Sequence, residues 1–146
     1  MSSSLYREHL LDHFRRPRNK GALDAAMDRE RGSNPRCGDD LEVGVSIADG
    51  HLASLRFHGR GCSVCIASAS MLTETCEALS VSEARALCTS LEDWVGQRTG
   101  GEPPHSQLEA LDGARPHASR HTCILLAWRA LAVLLDRHTN AAPSGD

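Results

Sequence analysis

Six cysteines stand in this chain of 146 residues, Cys37, Cys62, Cys65, Cys76, Cys88 and Cys123, and they are the residues best suited to chemistry. A thiolate is both a metal ligand and a nucleophile, so the placement of each decides what it can do. Cys37-Gly38-Asp39 follows Asn34-Pro35 and precedes an apolar alternation, which puts a thiol and a carboxylate on one loop around a glycine that permits a tight backbone path. Cys62 follows Gly59-Arg60-Gly61, where a strand pattern hands over to a helical one. Cys123 lies in the first turn of the final helical pattern. Helix starts carry unpaired N–H groups and partial positive charge, both of which favour a thiolate. If these elements converge, Cys37, Asp39, Cys62 and Cys123 form a four-coordinate, electron-rich site suited to Zn²⁺.

Each of these residues also has a plainer role open to it. Cys37, Cys62 and Cys123 are either ligands or buried thiols, and Asp39 beside Asp40 either ligates or caps a turn. Cys62-Ser63-Val64-Cys65 is a C-x-x-C with no second copy to complete a zinc ribbon, so Cys65 is a packed residue, a spare ligand or a redox partner. Cys76 and Cys88 fall on apolar helical faces and are assigned to the core. Among eight histidines, His9, His13 and His138 read as solvated surface residues, and His117 or His121 reaches the site only if the chain from Pro116 to Thr122 folds back.

The rest of the chain must position these groups. Leu5–Phe14 carries Tyr6, Leu10 and Phe14 at spacings of four, an amphipathic helix that Pro17 ends. Arg15–Ser33 is polar and reads as a surface connection, with at most a turn of helix near Ala25-Ala26-Met27. Leu41, Val43, Val45 and Ile47, then Asp49-Gly50, then Ala53, Leu55 and Phe57 form the pattern of a β-hairpin with one buried face. A helix follows from Ser63 to Leu79. Ser80 and Glu83 make a capping box for the next, which carries Leu87, Leu91, Trp94 and Val95. Gly96–Ser106 is a loop, Leu108–Leu111 a short helical turn, and Ser119–Arg137 a long helix striped by Ile124, Ala127, Trp128, Leu131, Leu134 and Leu135. The order predicts an α+β domain over residues 1–139, a small antiparallel sheet packed against several helices, with 140–146 as a disordered tail.

Composition narrows the function. Aromatics are 3% of the chain and the formal net charge is −3, which argues against nucleic acid as a partner. The chain opens Met1-Ser2-Ser3-Ser4 with no export pattern, and its most apolar run, Ile124–Leu135, is interrupted by Arg129. These features lead us to expect no membrane association and a reducing, cytoplasmic compartment, where surplus cysteines mean metal binding, thiol chemistry or core filling.

Asn34-Pro35-Arg36-Cys37-Gly38-Asp39, Gly59-Arg60-Gly61-Cys62, Ala67-Ser68-Ala69-Ser70-Met71 and Arg120-His121-Thr122-Cys123 with Ala127-Trp128-Arg129-Ala130-Leu131 together resemble the IscU/SufU (NifU N-terminal-like) family of iron–sulfur cluster assembly proteins. The likeness runs from the first helix to Leu135 and implies that family's α+β fold. Within the family the chain is more similar to the SufU branch. Thr122 stands where IscU-type scaffolds carry a histidine, Pro103-Pro104 lies outside any Leu-Pro-Pro-Val-Lys context, and the long Cys62–Cys123 interval holds Leu108–Leu111, which resembles the insertion of SufU. The resemblance implies a zinc-dependent sulfurtransferase that accepts persulfide sulfur from a SufS-type, pyridoxal-phosphate-dependent cysteine desulfurase and serves a downstream SufBCD-like scaffold. It implies Cys37, Asp39, Cys62 and Cys123 as zinc ligands and Cys37 as the catalytic thiol, freed when a partner histidine takes its place, with Arg120 shaping the site or its docking face. Cys65 departs from the family pattern. The alternatives are an IscU-like scaffold for a nascent [2Fe–2S] cluster on the same ligands, and a binding module that uses zinc only for stability.

Overall fold

The computed structural model describes residues 3–97 and 101–141. Helix α1 (Ser3–Arg15) is followed by strands β1 (Asp28–Asn34), β2 (Asp39–Ala48) and β3 (His51–Arg60). Helices α2 (Ser63–Cys76) and α3 (Val81–Val95), a 3₁₀ segment (Ser106–Ala114) and helix α4 (Ala118–Ala141) complete the chain. The strands form one antiparallel sheet in the order β1-β2-β3, with the helices gathered on its apolar face. This is the α+β architecture expected from the order of patterns.

The β2–β3 hairpin turns on Asp49 and Gly50, both at positive φ (53° and 75°), which an Asp-Gly pair adopts at little cost. Leu41, Val43 and Val45 point inward from β2 as their alternation requires. On β3 the expected inward residue Ala53 is instead exposed, and Leu52 is fully buried. The cause is a bulge. Ser46 pairs with Ser54 but Ile47 pairs with Leu52, so Ala53 is the extra residue and the alternation slips by one.

Strand β1 corrects the reading of Arg15–Ser33 as surface connection. Its sequence, DRERGSN, has no apolar residue to signal a strand. It forms because β2 offers an open edge, pairing from Asp28↔Val45 to Asn34↔Asp39. Its inward side meets α4 through Gly32, where an added Cβ would stand 3.1 Å from the Leu126 side chain, and through Glu30, which accepts from Arg137 at 2.9 Å. A polar edge strand of this kind resists pairing with other chains.

Helix α1 is also rotated from its expected setting. Phe14 is 39% exposed, whereas His13, expected at the surface, is 1% exposed. Ser70 Oγ accepts the Arg18 amide at 2.8 Å and lies 2.7 Å from His13 Nδ1, so its own proton is available to the ring nitrogen. The polar contact outweighs the aromatic one because a buried phenyl ring could not answer Ser70.

Helices α2 and α4 run through the middle of the domain. Ser68 Oγ donates to the Ile124 carbonyl at 2.6 Å and accepts the Trp128 indole N–H at 3.0 Å, which pins the pair together. Small residues at Ala67 and Ala69 let α2 sit deep in the core, and Trp128, Leu131 and Leu135 bury the facing stripe of α4. Ala118–Asn140 is long and apolar enough to cross a membrane by length and composition, but its apolar face is this core stripe. Helix α4 continues to Ala141, past the expected domain end at 139, and 142–146 lie outside the described residues. The capping box at Ser80 and Glu83 is present, at 3.1 and 2.9 Å. The expected turn at Leu108–Leu111 is a longer 3₁₀ run, anchored by Arg115, which stacks on Trp94 at 4.1 Å. Cys76 and Cys88 are core residues, their thiols pushed up to about 12 by burial.

Burial, and then the charges of Arg18 and His9, lower the His13 pKa from 6.5 to about 4. The unfolded chain therefore binds the proton more readily in that interval. The contribution of His13 is complete above pH 6.5 and is lost as the pH falls through 4. Urea titrations across that window should show the wild type losing about 3 kcal/mol more than His13→Gln. Parallel pH profiles for the two proteins would refute this assignment.

Candidate metal centre

The turn between β1 and β2 presents the first two groups. Asn34 and Asp39 close the hairpin as a register pair, and the Cys37 amide donates to the Asn34 carbonyl at 3.1 Å. Gly38, at φ 70°, reverses the chain between Cys37 and Asp39. Cys37 is half-buried on this turn, while Asp39, the first residue of β2, is 2% exposed.

The end of β3 supplies the third. Gly59 has φ 128°, and a Cβ there would collide with the Asp40 carbonyl, so only glycine lets β3 end alongside the β1–β2 turn. Cys62 then occupies the N-cap of α2 with extended backbone (φ −66°, ψ 169°) and makes no side-chain cap bond, leaving its sulfur free. Its amide N–H donates to Asp39 Oδ1 at 2.8 Å. Asp39 thus serves the helix start with one oxygen and faces Cys62 Sγ with the other, Oδ2, at 4.0 Å.

Helix α4 brings Cys123 to the same point. Its Sγ lies 3.3 Å from Cys37 Sγ, and one donor atom from each of Cys37, Asp39 and Cys123 falls within 4.8 Å of the others. Because α4 begins at Ala118, Cys123 is the sixth helical residue and sits in the second turn, not the first. The helix terminus therefore does little for its thiolate. In the metal-free chain burial, followed by contacts with Cys37, Asp39 and Cys62, pushes the Cys123 thiol well up. Crowded acids of this kind ionise together only with a cation among them.

The separations suit such a cation. Ligands at roughly 2.0–2.3 Å from a tetrahedral zinc stand roughly 3.3–3.8 Å apart, which the 3.3 Å Cys37–Cys123 and 4.0 Å Cys62–Asp39 separations approach. The mutually close donors are Cys37, Asp39 and Cys123; Cys62, the fourth expected ligand, lies outside that group and meets it through Asp39 Oδ2 at 4.0 Å, and three sulfurs with a carboxylate are a donor set that zinc or iron accepts. Histidine takes no part in the metal-competent group among the described residues. His121 Nε2 is held by the Arg115 carbonyl at 2.6 Å, which settles the question of fold-back for that residue. Arg120 and His117 are exposed on the first turn of α4 and just before it.

Two supporting residues escaped the reading of spacing. Asn34, 8% exposed, donates from Nδ2 toward Cys123 Sγ at 3.7 Å; its place directly before Pro35 was the only signal. Gly61 allows a close approach, since a Cβ there would stand 3.0 Å from Cys65 Sγ and 3.1 Å from Asp39 Oδ1. Cys65 itself is 1% exposed, and burial pushes its thiol well up.

Comparison with known proteins identifies the family. Residues 5–136 match the NifU-like N terminal domain. The chain belongs to that family, which includes the iron–sulfur cluster assembly proteins. It is 31% identical over 129 residues to the zinc-dependent sulfurtransferase SufU of Bacillus subtilis, covering 88% of this chain and 87% of the relative. It is 33% identical over 138 residues to the iron–sulfur cluster assembly scaffold protein IscU of Streptococcus pyogenes, covering 94% and 86%. The fold matches the crystal structure of a NifU-like N-terminal protein from Brucella abortus with a TM-score of 0.84 at 18% identity, over 97% of this chain and all of the other.

The collision built into Gly59 makes a direct prediction. Gly59→Ala should destabilise the domain by roughly 2–4 kcal/mol and lower its metal content, measured by denaturant titration and elemental analysis. A variant of wild-type stability would show that the β3 end is not constrained as described.

Proposed function

We propose that the protein is a zinc-dependent sulfurtransferase that takes persulfide sulfur from a SufS-type, pyridoxal-phosphate-dependent cysteine desulfurase and passes it to a SufBCD-like scaffold for iron–sulfur cluster assembly. The observation that carries this reading is the unequal setting of the thiols. Cys37 stands half-exposed on a turn, beside Gly38 whose outer face is open space, while Cys123, 3.3 Å away, is 1% exposed in the core. A nucleophile that must meet another protein's persulfide needs the first setting, and an anchoring ligand needs the second. Similarity to the sulfurtransferase of Bacillus subtilis supports the same reading.

On this reading Cys37, Asp39, Cys62 and Cys123 hold the metal. Bound Zn²⁺ keeps the sulfurs as thiolates at neutral pH and shields them from oxidation. The Cys37 thiolate attacks the terminal sulfur of the donor persulfide, a new sulfur–sulfur bond forms on Cys37, and the donor cysteine leaves as its thiolate. No external oxidant is needed. Asp39 keeps the Cys62 amide fixed through Oδ1 while the Cys37 turn moves, and Asn34 steadies Cys123.

The purified chain should hold one zinc ion. After incubation with a SufS-type desulfurase and cysteine, it should carry one added sulfur atom at Cys37, located by mass spectrometry of its peptides. Cys37→Ala should keep its fold, carry no added sulfur and fail to stimulate desulfurase turnover; undiminished stimulation would sink the mechanism. The 33% identity to a scaffold protein favours a second reading, assembly of a [2Fe–2S] cluster on the same four residues. Anaerobic reconstitution decides between them. A stable visible chromophore that forms at the expense of zinc and transfers to an apo-acceptor would select the scaffold.

A further inference from the structure

Asn34 is joined to each of the three mutually close donors without being one of them. Its backbone carbonyl accepts the Cys37 amide at 3.1 Å, it faces Asp39 as the closing register pair of β1 and β2, and its side-chain Nδ2 donates to Cys123 Sγ at 3.7 Å. The last bond spans 89 positions of sequence and is buried. A thiol at Cys123 gives its proton to Cys37 Sγ at 3.3 Å, but a thiolate on a metal has only lone pairs to offer. The contact with Cys37 then ceases to be a hydrogen bond, whereas the one from Asn34 becomes charge-assisted. A neutral amide donor suits a buried anion whose neighbours Cys37 and Asp39 are themselves acids.

Resting on the reading of the cluster as a metal centre, we propose that Asn34 is a positioning residue for it: the side-chain amide donates to the Cys123 thiolate, fixing the direction of that sulfur and drawing charge from it, while the backbone carbonyl holds the Cys37 turn. A hydrogen bond to a metal-bound sulfur moderates its electron donation, and losing such a partner weakens metal binding without changing the ligand count. The bond also separates two neighbouring thiols chemically. Cys123, its charge partly taken up, is the poorer nucleophile, and Cys37, which Asn34 reaches through the backbone alone, keeps the reactivity that sulfur acceptance needs.

The test is a Co²⁺ titration of the metal-free chain in competition with a chelator, reading affinity together with the intensity and energy of the thiolate-to-cobalt charge-transfer bands. Asn34→Ser keeps a residue suited to open a turn, and keeps its carbonyl, but its hydroxyl stops one bond short of the sulfur. Asn34→Ala removes the polar group altogether. Both should bind Co²⁺ about 10–100-fold more weakly than the wild type. Band intensity per bound ion should stay at the wild-type value, because all the thiolates remain. The bands should move to lower energy, because a sulfur relieved of its donor releases charge to cobalt more readily. Three results would overturn the proposal: wild-type affinity in Asn34→Ser, a loss of affinity with bands at the wild-type energy, which would leave Asn34 a turn residue alone, or a fall in intensity, which would mean that a thiolate had left the metal. A wild-type chain that binds neither Co²⁺ nor Zn²⁺ would instead remove the metal-centre reading itself, and the role of Asn34 with it.

Discussion

The hydroxyl of Ser68 is the contact on which the site's geometry depends. It gives its proton to the Ile124 carbonyl and takes one from the Trp128 indole, so a single buried atom fixes the rotation and the height of α4 against α2. Ile124 is the neighbour of Cys123, and α2 begins beside Cys62. The bond therefore ties the helix that begins beside Cys62 to the helix that carries Cys123. Its strength comes from burial. Ser68 and Trp128 are both withdrawn from solvent, and each would be left with an unanswered polar group if the helices slid by one residue. Apolar packing alone tolerates such slips, since Ala and Leu offer no register of their own.

The other half of the cluster is set by the sheet. Pairing of Asn34 with Asp39 closes the β1–β2 turn, and the positive φ of Gly38 directs Cys37 and Asp39 to the same side. Asp39 then joins the halves, because its Oδ1 accepts the first amide of the α2 start. A carboxylate 2% exposed is costly to bury without partners. One partner is the Cys62 amide; on the proposed reading the other is the metal. Folding and metal binding are coupled through this one side chain.

Much of this arrangement is legible in the sequence because local chemistry and tertiary demand agree there. Asp49-Gly50 marks the hairpin because few other pairs accept positive φ twice, and Ser80 with Glu83 marks a helix start because the two side chains answer each other's amides. The striped face of α4 is visible for the same reason, its burial repeating every turn. Where the reading failed, a distant partner had outweighed the local pattern. Strand β1 has no strand signal of its own and exists to pair with the β2 edge. The bulge at Ala53 exchanges Leu52 for Ala53 in the core without altering composition. Ser70, 57 residues from His13, turns α1 so that a histidine and not Phe14 enters the core. Cys65 illustrates the limit most directly: its spacing from Cys62 left a packed residue, a spare ligand and a redox partner open, and its place in the core is set by helix α2 folding against the rest of the domain.

The thiols also differ in how far each can move, and mobility sorts them as chemistry would require. Cys123 is held by a helix that the core surrounds, and Asn34 points at its sulfur. Cys62 is tied through its own amide. Cys37 alone is carried by a turn, and on its neighbour Gly38 a side chain would point into open space. Withdrawing Cys37 from the cluster costs few contacts, whereas withdrawing either of the others dismantles a helix start or a core face. On the proposed reading, a centre that gives up one ligand and keeps three has its exchangeable thiol on the turn, its anchoring thiols at the start of α2 and within α4, and its carboxylate at the start of β2.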